Sequence, residues 1–246
     1  MEKEKLSGFI KRYNLNGCIE SVQMDSAVAE DHITTRFISE EKHVLGTATL
    51  SKTNFGDYSL GVYETAKLKS LLSVLGPDIK ISAIQPDDRV AAITLEDNNM
   101  AVNFMLSDLS VIPKTPKLKD LPDWDVVIKL DKEFISRFIK SKNALPEVTS
   151  FTLLMNKKTS KLELVIGYSS INSNRISMNV ETCNGKNTVV EPISFSAKYF
   201  KEILSANIDS DDAQLNISSK GLAHIRFTSD DYESEYYLTE VRQGDS

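Results

Sequence analysis

The chain has 246 residues, 41% of them hydrophobic, and 29 Lys and Arg against 35 Asp and Glu, a formal net charge of −6. That apolar content fills one large core or two of ordinary size and excludes a disordered chain. No apolar run approaches the ~18–20 residues of a membrane span and the start, MEKEKLSGFIKRYN, lacks an apolar leader, so the sequence reads as a soluble intracellular protein. Cys18 and Cys183 stand far apart without a CxxC partner. They predict buried small apolar residues, with neither a disulfide framework nor a zinc site.

Four amphipathic helices are predicted in chain order, each with an apolar-x-x-apolar-apolar stripe. The stripes are Leu6, Phe9 and Ile10; Leu68, Leu71 and Leu72; Ile135, Phe138 and Ile139; and Phe200, Ile203 and Leu204. Ser196 is a helix-start signal and Asn207 a stop for the last of them. Short alternating or β-branched segments follow: DIKISAI, RVAAITL and NMAVNFML after the second helix, TSFTLLM, KLELVIG and RISMNVE after the third, and AQLNIS, LAHIRF and EYYLTEV after the fourth. The helices recur at offsets of 62, 67 and 65 residues. Each half of the chain therefore reads as two helix-plus-three-strand units, an α+β architecture with antiparallel sheets.

Between Ser110 and Asp125 the run SVIPKTPKLKDLPDWD carries Pro113, Pro116 and Pro122 and turns polar, which marks a linker. The expected organisation is a domain over 1–109, a connector over 110–125 and a second domain over 126–246.

Charge is segregated. The windows 3–13, 66–76, 132–142 and 197–207 hold 12 Lys and Arg against Glu4, Glu133 and Glu202, a net of +9, whereas the remainder nets −15. At ~100° per residue, Lys11, Arg137, Lys140 and Lys198 fall opposite the apolar stripe, with Lys5, Arg12, Lys67, Lys69 and Lys201 on its flanks. A flanking lysine often only snorkels over the stripe. Sign segregation in all four helices of an acidic chain points instead to a polyanionic partner, with these nine residues as its candidate contacts.

The segments DWDVVIKLDKEFISRFIKSK (123–142) and ISFSAKYFKEILSANIDSDDAQLNISSKGLAHIRFTSDDYESEYYLTEV (193–241) resemble the second half of DNA polymerase sliding clamps, the PCNA family. There a linker leads into a strand and a basic helix, and the chain closes with a helix, a strand of the L-N/S-I/M-S type and a terminal Y-Y-L strand. Tyr236, Tyr237 and Leu238 match the last motif, and Trp124 stands where the family has an aromatic at the connector's end. The first half is more similar to the clamps of tailed bacteriophages: its helix begins almost at Met1, and GDYSLGVYETAKLKSLLSVLG (56–76) is similar to their linker, strand and helix.

The resemblance implies two similar clamp domains, each with two helices on antiparallel sheets, and a homotrimeric ring that encircles double-stranded DNA without reading sequence, which makes those nine cations a DNA-binding set. It implies a DNA polymerase and an ATP-driven clamp loader as partners, the cytoplasm of an infected bacterium if the origin is viral, and no catalytic chemistry, cofactor or membrane association. By comparison with the family, the subunit interface falls on one edge at Met100, Val102 and Phe104 and another at Ile176, Met178 and Val180. A pocket for partner peptides falls on Leu118, Leu121, Trp124, Tyr237 and Leu238. The connector departs from the family in its lysines at 114, 117 and 119.

Competing readings are a non-encircling interaction module or viral structural adaptor, and a metal-dependent nuclease built on Asp87/Asp88, Asp211/Asp212 and Asp230/Asp231. NGKNT at 184–188 lacks the glycine and hydroxyl spacing of a phosphate-binding loop. His32, His43 and His224 lack metal-ligand spacing.

Overall fold

Residues 1–53, 55–86, 89–156, 158–169, 173–183 and 191–241 are described by the computed structural model. They divide into two compact units, one of Met1–Glu40, Leu45–Pro116 and Asp230–Ser234, the other of Glu41–Val44, Lys117–Ser229 and the chain from Glu235. Asp87, Asp88 and the 184–188 run lie outside the described residues.

The first unit opens with α1 (Lys3–Asn14), which buries Leu6, Phe9, Ile10 and Tyr13 along one stripe. The helix ends because Leu15, Asn16 and Gly17 all turn to positive φ, and the Asn14 side chain seals the exit by donating to the Ile19 carbonyl and accepting from the Gly17 N–H. Strands β1 (Val22–Ala27), β2 (His32–Ile38), β3 (Val44–Ser51) and β4 (Tyr58–Val62) follow, with strict in-out alternation in β1 to β3. Next come α2 (Thr65–Ser73) and β5 (Lys80–Ile84), β6 (Ala92–Glu96) and β7 (Ala101–Met105). No side chain of Glu64 caps α2; Glu20 does so from a distance, its Oε2 accepting the Ala66 N–H at 2.9 Å. The strands run in the orders β4-β1-β2-β3 and β5-β6-β7, and α1 packs on α2.

The second unit contains β8 (Val126–Lys129), α3 (Lys132–Ala144), β9 (Ser150–Asn156), β10 (Lys161–Ile166) and β11 (Ile176–Asn179). It continues with β12 (Ile193–Ser196), α4 (Ala197–Ala206), β13 (Asp212–Ser218), β14 (Leu222–Thr228) and most of β15 (Tyr232–Thr239), whose Tyr232–Ser234 belong to the first unit. Asp131 and Ser196 cap α3 and α4 by accepting the Phe134 and Tyr199 N–H groups. The orders are β12-β9-β10-β11 and β8-β13-β14-β15. α3 packs on α4 over a cluster of Phe138, Phe151, Phe195 and Phe200, with ring centroids 4.7 to 5.8 Å apart.

The repeat is thus fuller than helix plus three strands. β4, β8 and β12 each precede a helix, so the unit is strand, helix, three strands, and only α1 lacks its leading strand. A single bridge, Glu2 to Asp78, stands beside β5 where β8 stands beside β13. Two expectations are corrected. Leu71 and Ile139 sit on the shoulder of their helices, half exposed. Cys183 is exposed and Cys18 half buried: the Cys183 N–H donates to the Val127 carbonyl beside the Thr182–Ile128 bridge while its side chain stays in solvent.

Candidate nucleic-acid interface and partner surface

Of the 12 cations in the helical windows, five are taken up by the protein itself. Arg12 is 1% exposed: its guanidinium lies 3.7 Å from the centroid of the Tyr232 ring and donates to the Gly8 carbonyl. It has no surface to offer a phosphate, which corrects its inclusion in the DNA-binding set. Lys5 pairs with Asp231 at 3.0 Å, and that hydrogen bond holds its ammonium above the usual lysine range and the Asp231 carboxyl below its own. Asp231 also holds Lys52, so its carboxylate ties two cations inside the first unit. Lys201 lies 3.3 Å from Glu202, half buried. Lys3 donates to the Leu75 carbonyl. Lys142 is buried at the end of α3, where it donates to the Leu145 and Pro146 carbonyls, and burial pushes its pKa down.

The other seven are exposed: Lys11 on α1, Lys67 and Lys69 on α2, Lys132, Arg137 and Lys140 on α3, and Lys198 on α4. Lys132, in the first turn of α3, is absent from the candidate set that helical angle selects. Arg137 meets only its own helix's Glu133, at 3.8 Å with both side chains mostly in water, a contact worth a few tenths of a kcal/mol. Lys69 reaches the Asn14 side chain at 3.3 Å. Each unit therefore presents a helix pair with at least three solvated cations, able to hold phosphates by attraction that carries no base information.

The partner-binding candidates separate into two groups. Leu118 and Leu121 are 43% and 47% exposed in a connector stretch without regular structure. Trp124 stacks on His224 (5.6 Å, 22°), and His224 stacks on Tyr237 (4.8 Å, 21°), giving a three-ring ladder in the second unit. Asn216 opposite His224 in the β13–β14 register meets the imidazole at 3.1 Å, and burial lowers that ring's pKa. Burial beside Glu235 raises the pKa of Tyr237. Leu238 is fully buried, because neighbouring residues of a strand face opposite ways and Tyr237 already faces out; this corrects its place in a surface pocket. His224, dismissed for lacking metal spacing, is the centre of the ladder.

Among the described residues the two candidate edges lie at sheet ends. β7 ends the β5-β6-β7 sheet and β11 ends the β12-β9-β10-β11 sheet. Leu106 N–H donates to Ala91, which sets the parity: Met100, Val102 and Phe104 turn their main chain toward β6, while Ala101, Asn103 and Met105 turn theirs outward. Val180 N–H donates to Leu162, so Ile176, Met178 and Val180 face β10 and the outward groups belong to Ser177 and Asn179. Phe104 and Val180 are also buried by side chain. The residues chosen from sequence are thus the inner half of each edge, and the pairing capacity sits one position away.

Among the described residues no helix is long and apolar enough to cross a membrane, and no group of three or more His, Cys, Asp or Glu is placed to hold a metal ion.

Helix pairs on antiparallel sheets, repeated with one strand order in both units, define the DNA sliding-clamp fold. The chain is similar to the crystal structure of proliferating cellular nuclear antigen from Entamoeba histolytica over 98% of its own length and 96% of that chain, with a TM-score of 0.72 and 15% identity. It is equally similar, over 100% and 98%, to A. fulgidus PCNA in a structure with the C-terminal region of FEN-1 bound, at the same score and identity. No family model and no curated protein matches the sequence.

Proposed function

We propose that the chain is one subunit of a homotrimeric ring that duplex DNA threads and that tethers a DNA polymerase to its template. The observation that carries this reading is the pairing of a clamp fold with solvated cations on the helices of both units of an otherwise acidic chain. In such a ring the helices face the hole and their phosphate contacts permit sliding, since no contact fixes a register. Ala101, Asn103 and Met105 of one copy pair with Ser177 and Asn179 of the next, satisfying two edges that would otherwise invite aggregation. A clamp loader opens and closes the ring. Leu118, Leu121 and the Trp124–His224–Tyr237 ladder receive apolar side chains of partner proteins; a protein segment, the C-terminal region of FEN-1, is bound to the similar A. fulgidus PCNA. The chain performs no chemistry.

The test is to load the protein on nicked circular duplex and then linearise it. A threaded ring is lost over the ends; retention after the cut would refute encirclement. Mass in solution decides between the ring and a non-encircling module: three chains are expected, and a strict monomer at micromolar concentration removes the ring.

A further inference from the structure

The first unit carries a groove of about 580 Å³ that neither the cationic helices nor the ring ladder uses. Its floor is the outer face of β1 and β2, with Gln23 opposite Arg36, and its wall is the start of the connector, with Leu109, Ile112 and Lys114. Two hydrogen bonds lace that wall to the sheet: Thr115 Oγ1 donates to the Arg36 carbonyl, and the Arg36 guanidinium donates to the Pro116 carbonyl at 3.1 Å.

The polar groups are unevenly spent. Asp25 is the one carboxylate of the lining, and its Oδ1 already accepts from Gln23 at 2.9 Å and Ser59 at 2.6 Å. Arg36 has used one of its five N–H donors, and Lys114 is exposed with no ion pair among the described residues. The groove therefore has donors and positive charge to give beside an apolar wall, in a chain whose net charge is −6.

We propose that this groove receives an extended acidic segment of a partner protein, with an apolar side chain against Leu109 and Ile112 and a carboxylate between Arg36 and Lys114. A carboxylate matches the planar guanidinium fork. A phosphate is the poorer fit, because its second negative charge meets Asp25 and its ester offers nothing to the apolar wall. The inference rests on the tethering half of the proposed function and not on ring closure: it assigns acidic rather than basic flanks to the captured peptides.

The test measures fluorescence polarisation of the full chain with an eight-residue peptide bearing two leucines followed by two glutamates, and with its glutamine twin. The glutamate peptide is expected to bind about tenfold tighter at low salt, the worth of one charge-assisted contact. Lys114→Gln, which breaks no internal contact, and Arg36→Gln should each shrink that preference, and Lys114→Glu should favour a lysine-bearing twin instead. Equal binding of the first two peptides overturns the proposal, as does a preference untouched by Lys114→Gln, or displacement of the peptide by a short 5′-phosphorylated oligonucleotide. Retention on circular DNA read on the same variants separates the two ideas: it should stay unchanged where the preference is lost, and its absence in the unmodified chain would sink the ring while leaving the peptide result to be judged alone.

Discussion

Arg12 and Lys140 are both basic helix residues, yet one is a core residue and the other a surface charge. Arg12→Ala removes a guanidinium packed on Tyr232 and should cost about 2–3 kcal/mol, lowering the melting midpoint by about 5–10 °C, which calorimetry would show. Replacing Arg137 and Lys140 by alanine should leave the midpoint unchanged, weaken retention on loaded DNA, and reduce the salt slope by about 0.9 for each phosphate no longer neutralised. Unchanged retention would mean that these cations only solvate their helix. Angle around the helix axis separates the two kinds partly. Lys11, Arg137, Lys140 and Lys198, set opposite the stripe, are all solvated, whereas three of the five flanking residues, Lys5, Arg12 and Lys201, are engaged. Lys201 meets its neighbour Glu202, but for Lys5 and Arg12 the partner, Asp231 or Tyr232, is distant in sequence, and no local pattern announces it. Asp97 gives a residue-scale pH test. Backbone N–H groups of Gly76, Asn99 and Met100 hold its carboxyl below the ordinary value of 3.8. A depressed folded pKa contributes stability that is present above 3.8 and lost as pH falls through the lower folded value. Asp97→Asn should therefore be less stable than the unmodified chain at neutral pH, the gap closing in acid; a gap independent of pH would rule this out.

At the scale of the element, the edges β7 and β11 carry the clearest prediction. Asn103→Pro deletes an outward N–H that β6 does not use, so the subunit should stay folded by circular dichroism while the particle mass falls toward one chain. Val102→Pro deletes an inward N–H and should unfold the sheet. A trimer that survives Asn103→Pro would exclude β7 from the closure. Elements were the most legible level of the sequence. Four apolar stripes and nine downstream strand segments stand where periodicity puts them, because amphipathic patterns report burial directly. The strands leading into the helices were less visible: β8 and β12 have four residues each, too few for alternation to stand out. Choosing Val102 and Phe104 rather than Asn103 has a similar origin. Apolar side chains mark a strand's buried face, but the in-plane direction of its main chain is set by register with a neighbour.

The whole molecule is acidic, and that bears on how the proposed ring would hold DNA. A chain of net charge −6 should bind a short linear duplex negligibly at ~150 mM salt, where phosphate contacts are screened, while staying on a closed circle for far longer. Comparable affinity for both in a gel-shift and a retention assay would argue for local contact. At this scale the sequence spoke only through its resemblance to clamps, since neither composition nor periodicity encodes ring closure. The resemblance already grouped Trp124 with Tyr237, but His224, the ring between them, became visible only with the strand order β15-β14-β13-β8.

The single bridge ahead of α1 leaves a mark of its own. Lys3 and Ile79 N–H groups donate across the Glu2–Asp78 bridge, which fixes the parity of β5 and turns the main chains of Ile81 and Ala83 toward a side where no strand lies among the described residues. Their counterpart Leu215 lies opposite Ile128 of β8. Deuterium should consequently enter the amides of Ile81 and Ala83 within the earliest labelling times, and that of Leu215 only on global opening. Two copies of one repeat would then tick at different rates, and the faster would be the one whose outer edge meets a single bridge, Glu2 to Asp78, among the described residues.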